Sequence, residues 1–173
     1  GPEYVARFTQ PEPVDPASGP AGKVQLKDLQ ARIDAVKVSD TPLAVRDMPG
    51  PTGESNRLAQ VARPPLLCLG PGAKAAAAQA EAVRALGGVA VELPEGATSA
   101  ALTGAAGFGG VLFWGDTDAA RRLARALAAR DGAILPLVTA RPTAPDVLLE
   151  RHLCIDTTAS GGNAELLAEV SDA

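Results

Sequence analysis

Leu66-Leu67-Cys68-Leu69-Gly70-Pro71-Gly72, the alanine-rich run from Ala73 to Leu86, Gly87-Gly88, and then Val89-Ala90-Val91-Glu92-Leu93 form the stretch that decides the fold. A short, continuously apolar run fits a strand buried on both faces, because a strand with one wet face alternates with polar residues. The alanines that follow are the strongest helix formers. The glycines after Leu86 supply the left-handed backbone with which helices commonly close. A second apolar run, Val89 to Leu93, ends at Pro94-Glu95-Gly96. The unit therefore reads strand, helix, strand.

Downstream the pattern repeats. Thr98 to Ala106 is a weaker helical piece, and Gly109-Gly110 precedes the strand Val111-Leu112-Phe113-Trp114. Asp116 or Thr117 is placed to cap a helix from Asp118 to Arg130, since a side-chain oxygen there can accept from a free amide of the first turn. Asp131-Gly132 stops that helix, and Ala133 to Val138 reads as a fourth strand in which Pro136 argues for an edge position. Continuously apolar strands separated by helices predict an α/β fold, a small Rossmann-like three-layer sandwich with a mostly parallel sheet and right-handed crossovers.

Upstream, Pro11, Pro13, Pro16 and Pro20 favour an extended N-terminal arm. Leu26, Leu29, Ile33 and Val36 then recur at helical spacing and lay one apolar stripe along a short amphipathic helix. Gly50-Pro51-Thr52-Gly53 reads as a turn. After the proline-rich stretch Arg141 to Pro145, Leu148 to Asp156 reads as a strand of a C-terminal flap. The expected division is an arm with its helix at 1–62, a Rossmann-like domain at 63–141 and a flap at 142–173. Residues 1 to about 40 are expected to be loose.

With 173 residues the chain can bury a core of its own. Its 20 acidic and 16 basic residues give a net charge of −4 and no basic stripe, which disfavours a nucleic-acid partner. No run of about 18 apolar residues suggests membrane insertion, and no charged-then-apolar leader opens the chain. Cys68 and Cys154 lie in apolar runs and are expected to be buried small hydrophobes rather than a disulfide. They point to a reducing, cytoplasmic setting. His152 has no metal-ligand spacing around it, so a structural role and no metal are expected.

The strongest signal for chemistry is Gly70-Pro71-Gly72-Ala73-Lys74-Ala75, a G-x-G-x-x-A between a strand and a helix, with Glu92 about 20 positions on at the end of the next strand. On that reading Gly70 and Gly72 bring backbone amides to the pyrophosphate of NAD and Glu92 binds ribose. The competing reading is a structural turn, since Pro71 removes one N–H that should face the ligand. Asp116, Asp118 and Glu54 could be paired carboxylates, but capping explains the first two. Arg121, Arg122, Arg125 and Arg130 crowd one helix and read as a solvated face. Trp114 reads as core. Thr157, Thr158 and Ser160 have neither a base nor a G-x-S-x-G elbow beside them. No catalytic residue is expected.

Three stretches occur in the same order as in a known family: Pro49 to Leu58, Val111 to Asp118 continuing through Ala128 to Ile134, and Leu148-Leu149-Glu150-Arg151-His152-Leu153-Cys154-Ile155-Asp156-Thr157-Thr158-Ala159-Ser160-Gly161-Gly162-Asn163-Ala164. Together they resemble the C-terminal end of proline utilization A, over roughly residues 49 to 167. Gly1 to Phe8 also resembles the segment where that family's aldehyde dehydrogenase module ends. Members are bifunctional flavoenzymes that join proline dehydrogenase to Δ1-pyrroline-5-carboxylate (glutamate semialdehyde) dehydrogenase. The resemblance implies a noncatalytic structural and interaction domain, a retired aldehyde-dehydrogenase-like copy of unknown function. FAD and NAD then belong to the parent and no cofactor to this chain. It also implies a flap in which Thr157, Thr158, Gly161, Gly162 and Asn163 make backbone-rich contacts with the aldehyde dehydrogenase module and help seal a substrate-channelling tunnel. Self-association through exposed flap strands is a further expectation.

Overall fold

The structure, a computed structural model, describes residues 22–156. They fall into two compact units, one of residues 22–40 with 62–149 and one of residues 41–61 with 150–156.

The first unit is built on a four-stranded parallel sheet of β3 (Leu66–Cys68), β4 (Ala90–Glu92), β5 (Gly110–Leu112) and β6 (Leu137–Val138), in the order β4-β3-β5-β6. Leu67 pairs with Val91 on one side and Val111 on the other. All three β3 residues are buried, which is why that run carries no polar alternation. The helices are α1 (Leu26–Asp34), α2 (Gly72–Ala85), α3 (Ser99–Gly104), α4 (Thr117–Ala128) and the single turn α5 (Ala144–Val147).

Side chains alternate across the sheet and so build two cores. Leu66, Cys68, Ala90 and Leu112 pack with Ala80 and Val83 of α2 and with Val147. Leu67, Val91, Val111 and Phe113 pack with α1, α3 and α4 through Leu29, Ile33, Leu102 and Leu127. This is the α/β sandwich the strand pattern predicts. Helix α2 ends in a Schellman motif: Gly87 has φ +85°, its N–H donates to the Arg84 carbonyl at 2.9 Å, and the Gly88 N–H donates to the Val83 carbonyl at 3.0 Å.

Several expectations are corrected. Residues 22–36 do not form a loose arm. Lys23 and Val24 donate to Gly96, Val24 bridges Ala97 in parallel, and the Gln30 side chain clamps both backbone groups of Ala106 at 2.9 and 3.2 Å. Arg32 pairs with Glu95 at 3.0 Å. The apolar stripe of α1 is the reason, because Leu29 and Ile33 complete the core that α3 and Phe108 leave open. The fourth strand is only Leu137–Val138, and Ala133 and Ile134 lie exposed in a loop, Ile134 at 96%. The arm before Gly22 lies outside the described residues. Trp114 is half-buried rather than core, with its indole N–H donating to the Ala140 carbonyl at 2.9 Å.

The second unit is a three-stranded sheet of β1 (Ala44–Met48), β2 (Glu54–Ala62) and β7 (Leu148–Asp156), in the order β1-β2-β7. β1 and β2 form an antiparallel hairpin in which Val45 faces Ala59 and Asp47 faces Arg57. Its loop closes at Gly53, φ +87°, next to the Glu54 N–H donating to the Pro51 carbonyl. β7 lies where the flap strand is expected. The hairpin, which the sequence reading treated only as a turn, supplies its partner strand.

Candidate functional site

In the first unit β4 and β5 lie on opposite sides of β3, so a ligand crevice in a sheet of this kind opens between the loops that follow β3 and β5. The turn after β3 holds the two candidate glycines, Gly70 at φ +82° and Gly72 at φ +76°, joined through a cis Gly70–Pro71 peptide. Gly72 opens α2, whose N-terminus has no side-chain cap. Gln79 occupies the turn from within. It is wholly buried, its Oε1 accepts the Gly70 N–H at 2.9 Å and its Nε2 donates to the Gly70 carbonyl at 2.7 Å.

The same Gly70 carbonyl accepts the Trp114 N–H at 2.9 Å. That bond runs from the loop after β3 to the loop after β5, directly across the crevice. Asp116 caps α4 by accepting the Ala119 N–H at 2.8 Å, and Asp118 sits in the same first turn. They place carboxylates where a phosphate would need positive field. Glu92, the candidate ribose ligand, pairs instead with Arg84 of α2 at 3.0 Å. The structure thus brings Gly70 and Gly72 together but engages Gly70 and Glu92 with partners inside the fold. Sequence reasoning missed Gln79. Its position on the inward face of α2, with Ala76, Ala80 and Val83, is the signal that could have found it, since a buried amide needs a polar partner.

The second unit presents a different surface. Alternation along its strands puts Val45 and Ala59 on one face. Glu54 and Cys154, joined by a hydrogen bond, belong to the other. Leu43, Val45, Leu153 and Ile155 are each half exposed or more. Cys154 is exposed, not the buried hydrophobe expected from its apolar run, and His152 beside it is exposed too. The Cys154 thiol donates to Glu54 Oε1 at 3.1 Å, and Asn56 Nδ2 donates to the same oxygen at 2.7 Å. These bonds, the thiol's first, lower the Glu54 carboxyl below its ordinary range. The hydrogen bond to Glu54 in turn raises the Cys154 thiol above its ordinary range. Burial pushes Cys68 up to about 12.

The thiolate is the reactive form, so alkylation of Cys154 should rise with pH through a midpoint higher than that of an ordinary exposed thiol. At a fixed pH below that midpoint, Glu54→Gln removes the charge that holds the proton and should speed alkylation. Equal rates in the two proteins, followed by mass spectrometry, would show that the bond has no hold on the thiol.

Both cysteines are free. Among the described residues no group of three or more His, Cys, Asp or Glu is arranged to hold a metal ion, and no helix is long and apolar enough to cross a membrane. The expected flap contacts Thr157, Thr158, Gly161, Gly162 and Asn163 lie outside the described residues.

No family model matches the chain. In an alignment of 145 positions that covers 70% of the chain, it is 34% identical to the bifunctional protein PutA of Salmonella typhimurium, and in one of 146 positions it is 34% identical to that of Escherichia coli. The chain belongs to the PutA family. It spans 11% of the length of these PutA relatives. A crystal structure of a Bradyrhizobium japonicum proline utilization A (PutA) mutant matches 54% of the chain and 13% of that protein, with 28% identity and a TM-score of 0.43.

Proposed function

We propose that this chain is a noncatalytic structural and interaction domain of a PutA enzyme that oxidises proline to glutamate. The parent carries the proline dehydrogenase and glutamate semialdehyde dehydrogenase modules with their FAD and NAD, and acts in the cytoplasm. The α/β unit is a retired aldehyde-dehydrogenase-like domain that packs on the true dehydrogenase module. The β1-β2-β7 sheet, with Thr157, Thr158, Gly161, Gly162 and Asn163 after it, is the flap that closes over the channel between active sites. The observation that carries this reading is the sheet itself, whose Val45, Leu153 and Ile155 are exposed, as is Leu43 just before β1. Such side chains clustered on one small element suit a surface made to be covered.

Closure matters chemically, because a reactive and hydratable intermediate has to be kept from bulk water until it reaches the second site. The pinned crevice at Gly70 and the Arg84–Glu92 pair favour this over a dinucleotide-binding role.

The test is to delete residues 151–173 from a full-length PutA chain and follow proline-to-glutamate turnover. A lag in glutamate formation and intermediate trapped in solution are expected, with each half-reaction kept when assayed alone. Coupled turnover without lag or leakage would defeat the reading.

A further inference from the structure

The outer edge of the first unit carries a feature that neither the flap nor the glycine turn explains. A groove of about 300 Å³ runs between the C-terminal half of α4 and β6, floored by Leu127, Ala128, Leu135 and Leu137. Ile134 stands at its lip, 96% exposed. The loop turns at Gly132, at φ +91° and with open space where a Cβ would lie.

The one charged side chain lining the groove is Arg130. It is held in place by its own fold: Nη1 donates to the carbonyls of Leu102 and Thr103 at the end of α3, and the guanidinium lies 4.5 Å over the Phe108 ring. These partners are carbonyls and a ring, so among the described residues no carboxylate neutralises Arg130. Arg125 sits on α4 one turn from Ala128 and likewise makes no ion pair among the described residues. The groove is therefore apolar inside with Arg130 as its one charged lining side chain; Arg125 lies nearby on α4, and the exposed Asp131 on the loop offsets one of these two charges, on a chain whose net charge is −4. Its complement is an apolar side chain flanked by carboxylates.

Where such a segment comes from follows from length. The chain is 11% of its PutA relatives, so most of the polypeptide lies outside it and is tethered to it. A tethered partner has a high effective concentration and needs only a small contact. We infer that this groove seats an apolar, acid-flanked segment of the same PutA polypeptide from outside residues 1–173, with Arg130 and Arg125 as its electrostatic guides. This rests on the chain being a packed domain of a longer PutA. It adds a second contact, on an edge of the α/β unit, to that of the flap.

A photoreactive benzoyl-phenylalanine at position 134 of a full-length PutA chain tests it. The expected product is an intramolecular cross-link, running as a monomer on a denaturing gel, to a segment with Asp or Glu beside the attachment point. A cross-link to a second copy, a link only within residues 1–173, or no link would each overturn the proposal. As a second measurement in the same full-length chain, Ile134→Asp should speed hydrogen exchange across Ala124–Leu137 by about tenfold while the β3 and β5 amides stay unchanged. Unchanged exchange in the groove would count against it. Neither readout involves residues 150–173, so a failure here leaves the flap reading standing, and a failure of the deletion test leaves this one standing.

Discussion

Leu29→Asp is expected to unfold the α/β unit. Leu29 is wholly buried and sits with Ile33 against the core that α3, Phe108 and the sheet share. Burying its side chain contributes roughly 2–3 kcal/mol, and a carboxylate in its place has no cation or donor to satisfy it there. The combined cost is about 4 kcal/mol or more, against a net stability for a domain of roughly 5–15 kcal/mol. Circular dichroism and urea titration should show loss of the cooperative transition or a large fall in its midpoint. Leu26→Asp one turn earlier is the control, because Leu26 is 43% exposed, and it should cost about 1 kcal/mol or less. If the two variants melt alike, residues 22–36 are an appendage after all and the strap formed by Val24, Gln30 and Arg32 holds nothing.

The second large effect is expected at Gly88. Its backbone N–H closes the Schellman motif of α2, and a Cβ built on it would lie 2.1 Å from Val147 Cγ1 and 2.9 Å from Val83 Cγ1. No rotation of the new methyl relieves that, so Val147 must move, and Val147 is the buried residue that anchors the chain just before β7. Gly88→Ala should therefore cost about 2–3 kcal/mol. The diagnostic is the pair: in Gly88→Ala/Val147→Ala the clashing methyl is gone, and the double variant should be more stable than the sum of the single losses by about 1 kcal/mol. Strict additivity in chemical denaturation would mean that the close approach is relieved elsewhere.

What could be read in the sequence, and what could not, follows from where each residue finds its partner. Leu66 to Leu69 and Val111 to Phe113 announce themselves because a strand buried on both faces cannot hide its composition. Asp116 is legible as a cap because its partner, the Ala119 amide, is three residues away. The stripe of α1 is legible as a helix, but its place is not, since the backbone it clamps at Ala106 lies 76 positions on. The hairpin of β1 and β2 was missed for a related reason. Ser55, Asn56, Arg57 and Gln60 dilute the apolar alternation of a sheet whose first strand is exposed along its whole length.

At the candidate crevice the spacing of Gly70, Gly72 and Glu92 was legible, and its occupation was not. A turn that presents amides to a ligand and one whose amide is taken by Gln79 have the same glycines, because both need the same backbone angles. Only the three-dimensional path of Gln79 and of the Trp114 amide separates them. Cys154 misled for a simpler reason. An apolar neighbourhood in sequence implies burial only where something lies over the strand, and most of β7 is exposed.

The linking bond between Glu54 and Cys154 spans 100 positions of chain, and all of the α/β unit except its first helix, α1, is inserted between the strands that carry them. Bringing such distant segments together in an unstructured chain carries a loop-closure penalty. The inserted segment removes much of it once folded, because the Arg63 N–H then donates to the Val147 carbonyl and the Arg63 guanidinium to the Pro145 carbonyl, so the two exits lie side by side. Assembly thus has a built-in order. On a ribosome the hairpin emerges early and stands without its third strand until everything between has been synthesised and has collapsed.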